Sequence, residues 1–268
     1  MGDTDLVFAG SIPATYERYL VPMLFRPYAQ VAAERARALS PSRILETAAG
    51  TGVVTQALHE ALPDAEITAT DLNQPMLDEA ALRISSDKVH FQQADALSLP
   101  LDDETFDLVV CQFGVMFFPD KVRGNAEARR VLRDGGTYLT LIWDKVDYNL
   151  ATKTSGNAVA ELFPEAAESF YLRLPFRYHD TAVIESDMRA AGFREVRIER
   201  VELISHAASA RDAAIGLTQG TPVRNEIESR DPDKLSAATA ASEAALREFE
   251  SAEGFAAPMA AYVVTATR

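Results

Sequence analysis

From Arg43 to Asp144, short apolar runs alternate with stretches whose apolar residues recur at helical spacing, and this alternation leaves few folds open. Strand, helix and strand in regular succession specify a layered α/β core, because each crossover helix must pack back onto the sheet. Arg43-Ile44-Leu45 reads as a first buried strand, and Val54, Ala57, Leu58 and Ala61 follow at i, i+3, i+4 and i+7. Pro63-Asp64 breaks that helix, and Ile67 to Thr70 makes a second strand ending at Asp71. Asn73 stands as a helix cap with Pro75 just inside, before the stripe Leu77, Ala80, Ala81 and Ile84. A third strand, Val89 to Ala94, ends at Asp95, and a polar loop from Leu97 to Thr105 leads into a fourth, Phe106 to Gln112. The helix from Lys121 to Leu132 presents Lys121, Arg123, Arg129 and Arg130 as a solvated face and stops at Asp134-Gly135-Gly136. The fifth strand is expected from about Thr137 to Trp143.

Beyond Asp144 the alternation lapses. Residues 145 to about 180 read as helices and loops rich in aromatics: Tyr148, Phe163, Phe170, Tyr171, Phe176 and Tyr178. A helix from Thr181 to Ala191, a sixth strand from Val196 to Ile204, an Ala-rich helical stretch over 207–257 and a closing strand from Ala260 to Thr267 complete the chain. The organisation expected is a helical leader and lid (1–40), a ligand-binding core (41–144), a helical aromatic insertion (145–190), and the last strands with their helical insertion (191–268). Leader and insertions would cover the ligand end of the sheet.

Composition narrows the class. Apolar residues make up 47% and charged residues 25%, as in ordinary globular proteins. The net charge of −14 argues against a nucleic-acid backbone as partner, since phosphate binding draws on clustered Lys and Arg. No run approaches the roughly 18 apolar residues of a membrane span, and Met1-Gly2-Asp3-Thr4-Asp5 lacks the basic and apolar regions of a secretory signal, so a cytoplasmic location is expected. Cys111, the single cysteine, sits in the apolar run Leu108-Val109-Val110 and reads as a small buried hydrophobe, and the four histidines show no metal-ligand spacing. No metal site is expected, and the chain is expected to act as a monomer or homodimer.

The first strand runs into the small-residue turn Ala48-Ala49-Gly50-Thr51-Gly52 and then a helix, an arrangement that cradles nucleotide-like ligands on free helix N–H groups. Dinucleotides and S-adenosylmethionine both use such turns. A dinucleotide fingerprint wants Gly-x-Gly-x-x-Gly, but counting from Gly50 the last position is Thr55. Counting from Ala48 the pattern is Ala-x-Gly-x-Gly, preceded by the acid Glu46.

Together, Glu46-x-Ala48-x-Gly50-x-Gly52, Asp71, Asp95-Ala96, Gln112-Phe113-Gly114 and Arg130 to Gly136 resemble the class I S-adenosylmethionine-dependent methyltransferases. Residues 44–144 look most like the ubiquinone and menaquinone C-methyltransferase group, from which the chain departs by Glu46 in place of the commoner Asp and Gln112 in place of a small serine. The resemblance implies a Rossmann-like, doubly wound α/β fold with a mostly parallel seven-stranded sheet, an antiparallel last strand and helical cap insertions. It also implies an S-adenosylmethionine cofactor, with S-adenosylhomocysteine as product, and a small-molecule methyl acceptor with an O, N or C nucleophile.

The cofactor contacts it implies are Glu46, Ala48, Gly50, Thr51, Gly52, Thr55, Asp71, Leu72, Met76, Asp95, Ala96 and Gln112, with Asp71 on the ribose diol and Asp95-Ala96 at the adenine. Tyr16 and Tyr19 share a face if the leader is helical, Tyr19 toward the cofactor and Tyr16 toward the acceptor. Phe113, Phe117 and Tyr178 are the further candidate acceptor contacts. His179, in Tyr178-His179-Asp180, is the candidate general base for a carbon or phenolic acceptor. Two other readings stand beside this one: a non-catalytic S-adenosylmethionine-binding protein and a dinucleotide-dependent oxidoreductase.

Overall fold

The computed structural model describes residues 12–164 and 174–268, so Phe170 and Tyr171 lie outside the described residues. The chain divides into two compact units. One comprises Tyr28–Trp143, Tyr178–Val201 and Ala261–Arg268, and the other Met1–Pro27, Asp144–Arg177 and Glu202–Ala260.

The strands are β1 (Arg43–Thr47), β2 (Glu66–Asp71), β3 (Val89–Gln93), β4 (Phe106–Gln112), β5 (Leu132–Trp143), β6 (Glu195–Ala207), β7 (Glu250–Ser251) and β8 (Gly254–Thr267). The helices are α1 (Ile12–Thr15), α2 (Arg26–Leu39), α3 (Val53–Ala61), α4 (Gln74–Ala81), α5 (Lys121–Val131), α6 (Leu150–Glu161), α7 (Thr181–Ala190), α8 (Ala210–Gln219), α9 (Val223–Arg230) and α10 (Leu235–Leu246). The sheet has the order β3-β2-β1-β4-β5-β8-β6, with β7 paired to β8 off this path. β1 to β5 are parallel, and β8 runs antiparallel to β5 from Thr137↔Thr267 to Trp143↔Ala261. This is the expected Rossmann-like, mostly parallel seven-stranded sheet, with the two-residue β7 added. Strand order reverses between β1 and β4, and a doubly wound sheet opens its ligand crevice where its order reverses.

In the unit that holds β1 to β5, Ile44, Leu45, Leu108, Val109, Val110 and Cys111 are all 0% exposed. Strands covered on both faces lose the in–out alternation of an open sheet and read as continuous apolar runs. Each such Leu, Ile or Val contributes roughly 1.5–3 kcal/mol through burial. Val54, Ala57 and Leu58 are the buried stripe of α3, and Leu77 and Ala80 that of α4.

Several local expectations change. β5 begins at Leu132 rather than Thr137, because Phe106 pairs with Leu132 before a register shift carries Leu108 to Thr137. The basic residues of α5, Arg123 exposed and Lys121, Arg129 and Arg130 half-buried, do more than face solvent. Arg130 donates to the carbonyls of Leu99 and Leu101 and to Glu127 and Asp103, while Arg123 reaches Leu97 O and Arg129 reaches Gly192 O. Arg123 and Arg130 hold the polar loop after β3, whose carbonyls need donors that a loop cannot supply itself, and Arg129 holds the turn after α7. Asn73 occupies the cap position of α4 without a side-chain cap bond.

In the other unit, α1 continues into a π-helix, Tyr16–Phe25, with Pro22 inside it. That wider turn removes the α-helical spacing on which a shared face for Tyr16 and Tyr19 depends. α8 packs against it through Gly216, where an added Cβ would lie 3.1 Å from the Tyr19 Cβ. Ser242 of α10 donates to Ser155 of α6 at 2.7 Å, a buried bond between two helices. The helical stretch expected to reach 257 ends earlier, because Glu250–Ser251 turns back on Phe255 and Gly254 as a short hairpin. No helix among the described residues is long and apolar enough to cross a membrane.

Candidate functional site

The turn after β1 is built on left-handed backbone. Ala48, Gly50 and Gly52 have φ of +55°, +56° and +83°, so alternate residues fold the chain back across the end of β1. Two bonds, Ala49 N–H to Thr70 O at 2.9 Å and Gly52 N–H to Ala49 O at 3.0 Å, fix it to β2 and to itself. A side chain at Gly52 is excluded on space as well as on φ, since its Cβ would lie 2.9 Å from that of Ala80. At Gly50 the nearest side-chain atom to an added Cβ is the Met76 Cε at 3.6 Å. Thr51 is buried, and its carbonyl accepts from Arg83 Nη2 at 2.5 Å.

Two buried acids stand at this edge. Asp71, ending β2, accepts the Gly50 N–H at 2.9 Å on Oδ2 and the Asn73 N–H at 2.8 Å on Oδ1. The turn and the ribose-type acid expected from separate stretches of sequence are thus one hydrogen-bonded object. Burial raises the Asp71 pKa, against which these backbone donors work. Glu46, ending β1, is only 1% exposed, and its Oε2 accepts from the Thr55 hydroxyl at 2.5 Å. Its carboxyl is pushed up from 4.5 to about 8, first by burial and further by the nearby Asp71 charge, with the Thr55 bond opposing. Thr55 is itself fully buried, so Glu46 and Thr55 clamp the strand end to the first turn of α3.

Asp95 lies after β3, exposed, its Oδ1 accepting the Leu97 N–H at 2.9 Å, and Ala96 beside it is half-buried. Leu72 is 51% exposed, while its carbonyl accepts from Gln93 Nε2. Met76 is buried on α4.

At the end of β4, Gln112 is buried and Phe113 takes a φ of +55°, unusual for a bulky residue. The Phe113 ring stacks on Trp143 at 3.6 Å with an interplanar angle of 2°, and Tyr28 of α2 meets both rings edge-on at 5.4 Å. Gly114 then makes close approach possible: an added Cβ would stand 2.4 Å from the Ala48 Cβ and 2.9 Å from the Cys111 Sγ. The turn after β1 and the turn after β4 touch backbone to side chain, and a methyl group would separate them.

On the acceptor side the arrangement differs from expectation at two residues. Phe113 is 5% exposed and its ring is committed to Trp143 and Tyr28, so it belongs to the core. Tyr178 is 7% exposed, its hydroxyl donates to Asp187 Oδ2 at 2.8 Å, and the Lys121 ammonium lies 5.0 Å from its ring centroid. It ties α7 to α5. His179 is half-buried beside it, and Phe117 is half-buried before α5. In the helical unit, Tyr16 packs on Phe25 at 4.9 Å, and the Arg18 guanidinium lies 5.1 Å from the Tyr19 ring.

Sequence reasoning missed the Asn73 N–H as a donor to Asp71, Arg83, Gly114 as a contact of Ala48, and Trp143. The backbone N–H of Asn73 and the reach of Arg83 leave no residue-type signature. Gly114 carried one, as a glycine directly after a buried strand.

The fold defined by this strand order is that of class I methyltransferases. A Thermotoga maritima S-adenosylmethionine-dependent methyltransferase, described as a possible histamine N-methyltransferase, superposes with a TM-score of 0.57 over 95% of each chain at 20% identity. Haemonchus contortus phosphoethanolamine N-methyltransferase 2, solved with phosphomonomethylethanolamine and S-adenosylhomocysteine, gives a TM-score of 0.62 over 98% of this chain and 59% of its own at 15% identity. The methyltransferase domain family matches residues 44–136. The demethylmenaquinone methyltransferase of Clavibacter sepedonicus is 33% identical over 173 residues, 60% of this chain and 70% of that protein. The chain therefore belongs to the S-adenosylmethionine-dependent methyltransferases of the ubiquinone/menaquinone C-methyltransferase group. The corresponding Deinococcus radiodurans enzyme is 40% identical over 118 residues, 43% of this chain and about half (49%) of that relative's length.

Proposed function

We propose that this protein transfers a methyl group from S-adenosylmethionine to a small molecule, with a quinone-type ring as the acceptor class suggested by the names of its relatives. The observation that carries the reading is the Asp71 carboxylate, set in place by the Gly50 and Asn73 N–H groups beside the left-handed turn. The residues present fit the cofactor. Asp71 Oδ2 retains a lone pair beyond the Gly50 bond, and on Oδ1 a diol hydroxyl would take the place of the long 3.4 Å bond from the Asn73 side-chain amide, so the carboxylate can accept from both hydroxyls of a vicinal diol. Ala48, Gly50 and Gly52 line the turn with no side chain larger than methyl, which allows backbone and ligand to approach closely. Asp95 and Ala96 would meet the adenine, and Gln112 the reacting end.

S-adenosylmethionine, when bound, supplies an already activated methyl on a sulfonium. The protein then has to align an acceptor with the C–S bond and keep water out, and needs no nucleophile of its own. A carbon acceptor loses a proton as its bond to methyl forms, and His179 is the proposed base. Tyr19, and Tyr16 with Phe117, belong to the same proposal as cofactor and acceptor contacts. The reading places the enzyme in the cytoplasm and without a nucleic-acid substrate, in keeping with its net charge of −14.

Calorimetry with S-adenosylmethionine and mass detection of S-adenosylhomocysteine in the presence of hydroquinone acceptors test the proposal. Asp71→Ala should weaken cofactor binding by roughly 2 kcal/mol or more. Unchanged affinity would remove the ribose assignment, and binding without turnover on any acceptor would favour a non-catalytic S-adenosylmethionine-binding protein.

A further inference from the structure

Three strands, β4, β5 and β8, separate β6 from β1 in the sheet, roughly 19 Å at the usual strand spacing, so the far end lies apart from the turn after β1. There Glu195, Arg197 and Glu199 alternate onto one face of β6, and Val263, Thr265 and Thr267 onto one face of β8. They line a cavity of about 540 Å³ together with Arg35 of α2, Arg189 of α7 and Arg194 of the turn between α7 and β6. All belong to the unit that holds β1 to β5. Four arginines against two glutamates give the lining a net charge of +2, in a chain whose acids outnumber its lysines and arginines by 40 to 26.

The arginines are of two kinds. Arg35 donates to Glu199 at 2.8 Å, and Arg189 donates to Glu185 at 2.6 and 3.0 Å and to the Arg194 carbonyl at 3.1 Å. These two are fixed by partners, and Arg189 also fixes the turn that carries Arg194. Arg194 and Arg197 are exposed, and neither guanidinium makes an ion pair or hydrogen bond with a described residue, although Glu195 and Glu199 flank Arg197 on its own face. The half-buried Thr265 and Thr267 add two hydroxyls to the same lining.

We propose that this cavity binds the phosphate group of a small molecule, with Arg194 and Arg197 as its principal donors and Thr265 and Thr267 completing the set. Guanidinium groups donate and cannot accept, so the ligand that satisfies them carries acceptors and negative charge. One arginine fork already saturates the two coplanar oxygens of a carboxylate. A phosphate spreads its oxygens tetrahedrally, so it can take two forks and a hydroxyl at once, and here the donors come from three places: the α7–β6 turn, β6 and β8. The volume falls in the range of roughly 300–1,000 Å³ that small-molecule sites occupy, and a recess of that kind does not match the flat surface of a bilayer. Val196, half-buried in the lining, offers apolar contact to the body of a phosphate ester.

Calorimetric titration of the full chain with inorganic phosphate and with glycerol 3-phosphate tests this. At low salt at least one probe should bind saturably, at one site per chain, with a dissociation constant below about 1 mM, and added salt should weaken it by screening the guanidinium charges. Tighter binding of the ester assigns the ligand to an organic phosphate, and tighter binding of the free ion to inorganic phosphate. Arg194→Ala and Arg197→Ala should each weaken binding at least about tenfold, and Arg197→Lys should recover only part of the loss, because an ammonium keeps the charge but not the fork. Arg247→Ala, which removes a partner of Glu243 outside the cavity, should leave binding unchanged. Urea unfolding of each variant verifies its fold. No saturable binding, binding indifferent to both cavity variants, an equal loss in Arg247→Ala, or arginine-dependent capture of phosphatidylglycerol vesicles in place of either probe would overturn the proposal.

Discussion

Glu46→Gln isolates the energetic consequence of burying an acid beneath the turn. The carboxyl is fully buried and its pKa stands at about 8 in the folded chain against 4.5 for the exposed group. Between those values the folded protein holds a proton that the unfolded chain has released, so stability falls as pH rises from 4.5 toward 8 and levels off above it. At about 1.36 kcal/mol per unit the full shift corresponds to about 5 kcal/mol, and relaxation around a newly charged carboxylate reduces it, so a loss of about 2–5 kcal/mol is expected. The substituted glutamine keeps an oxygen for the Thr55 hydroxyl but carries no titrating proton. Asp71, also raised by burial, adds a slope of the same sign in both proteins, so the difference between the two profiles reports Glu46 together with its coupling to Asp71. Urea unfolding followed by circular dichroism from about pH 5 to about pH 9 measures both curves. The variant should gain on wild type up to about pH 8 and hold that lead above it. Parallel curves would mean that Glu46 is ionised in the folded state and that its burial does not govern its charge.

Gly114→Ala places a methyl 2.4 Å from the Ala48 Cβ and should cost about 1–3 kcal/mol in urea unfolding, with weaker cofactor binding because the turn at 48–52 is displaced. Ala48→Gly relieves a φ of +55°, so stability should stay level or rise by up to about 1 kcal/mol, although the same change within a helix loses about that much; a clear loss would show that the left-handed conformation carries no strain. Phe113→Ala empties the space stacked against Trp143 and should cost about 3–5 kcal/mol in the same measurement, a value near zero placing the ring outside the core.

Much of the local structure of the candidate site was legible because its signals are local. A glycine-bearing turn between an apolar strand and an amphipathic helix, and acids at successive strand ends, are each set by neighbours in sequence. Backbone preference and hydrophobic period act over a few residues. The acceptor side was not legible in that way. Phe113 reads as an aromatic after a strand, equally suited to a pocket or a core. It is a core residue because Trp143 and Tyr28, distant in sequence, converge on its ring. The basic residues of α5 likewise looked solvated until the loop they hold was in place beside them.

Alone, the sequence determined the alternating βα core, the left-handed turn with its required glycine at 52, and the residue types able to bind a diol. Only the tertiary structure decided which carboxylates are buried, that Gly50 orients Asp71, and that Gly114 must lack a side chain for two loops to meet. The division has a physical cause. Conformation follows from a residue and its chain neighbours, whereas desolvation and close contact depend on what other segments bring to the same few ångströms.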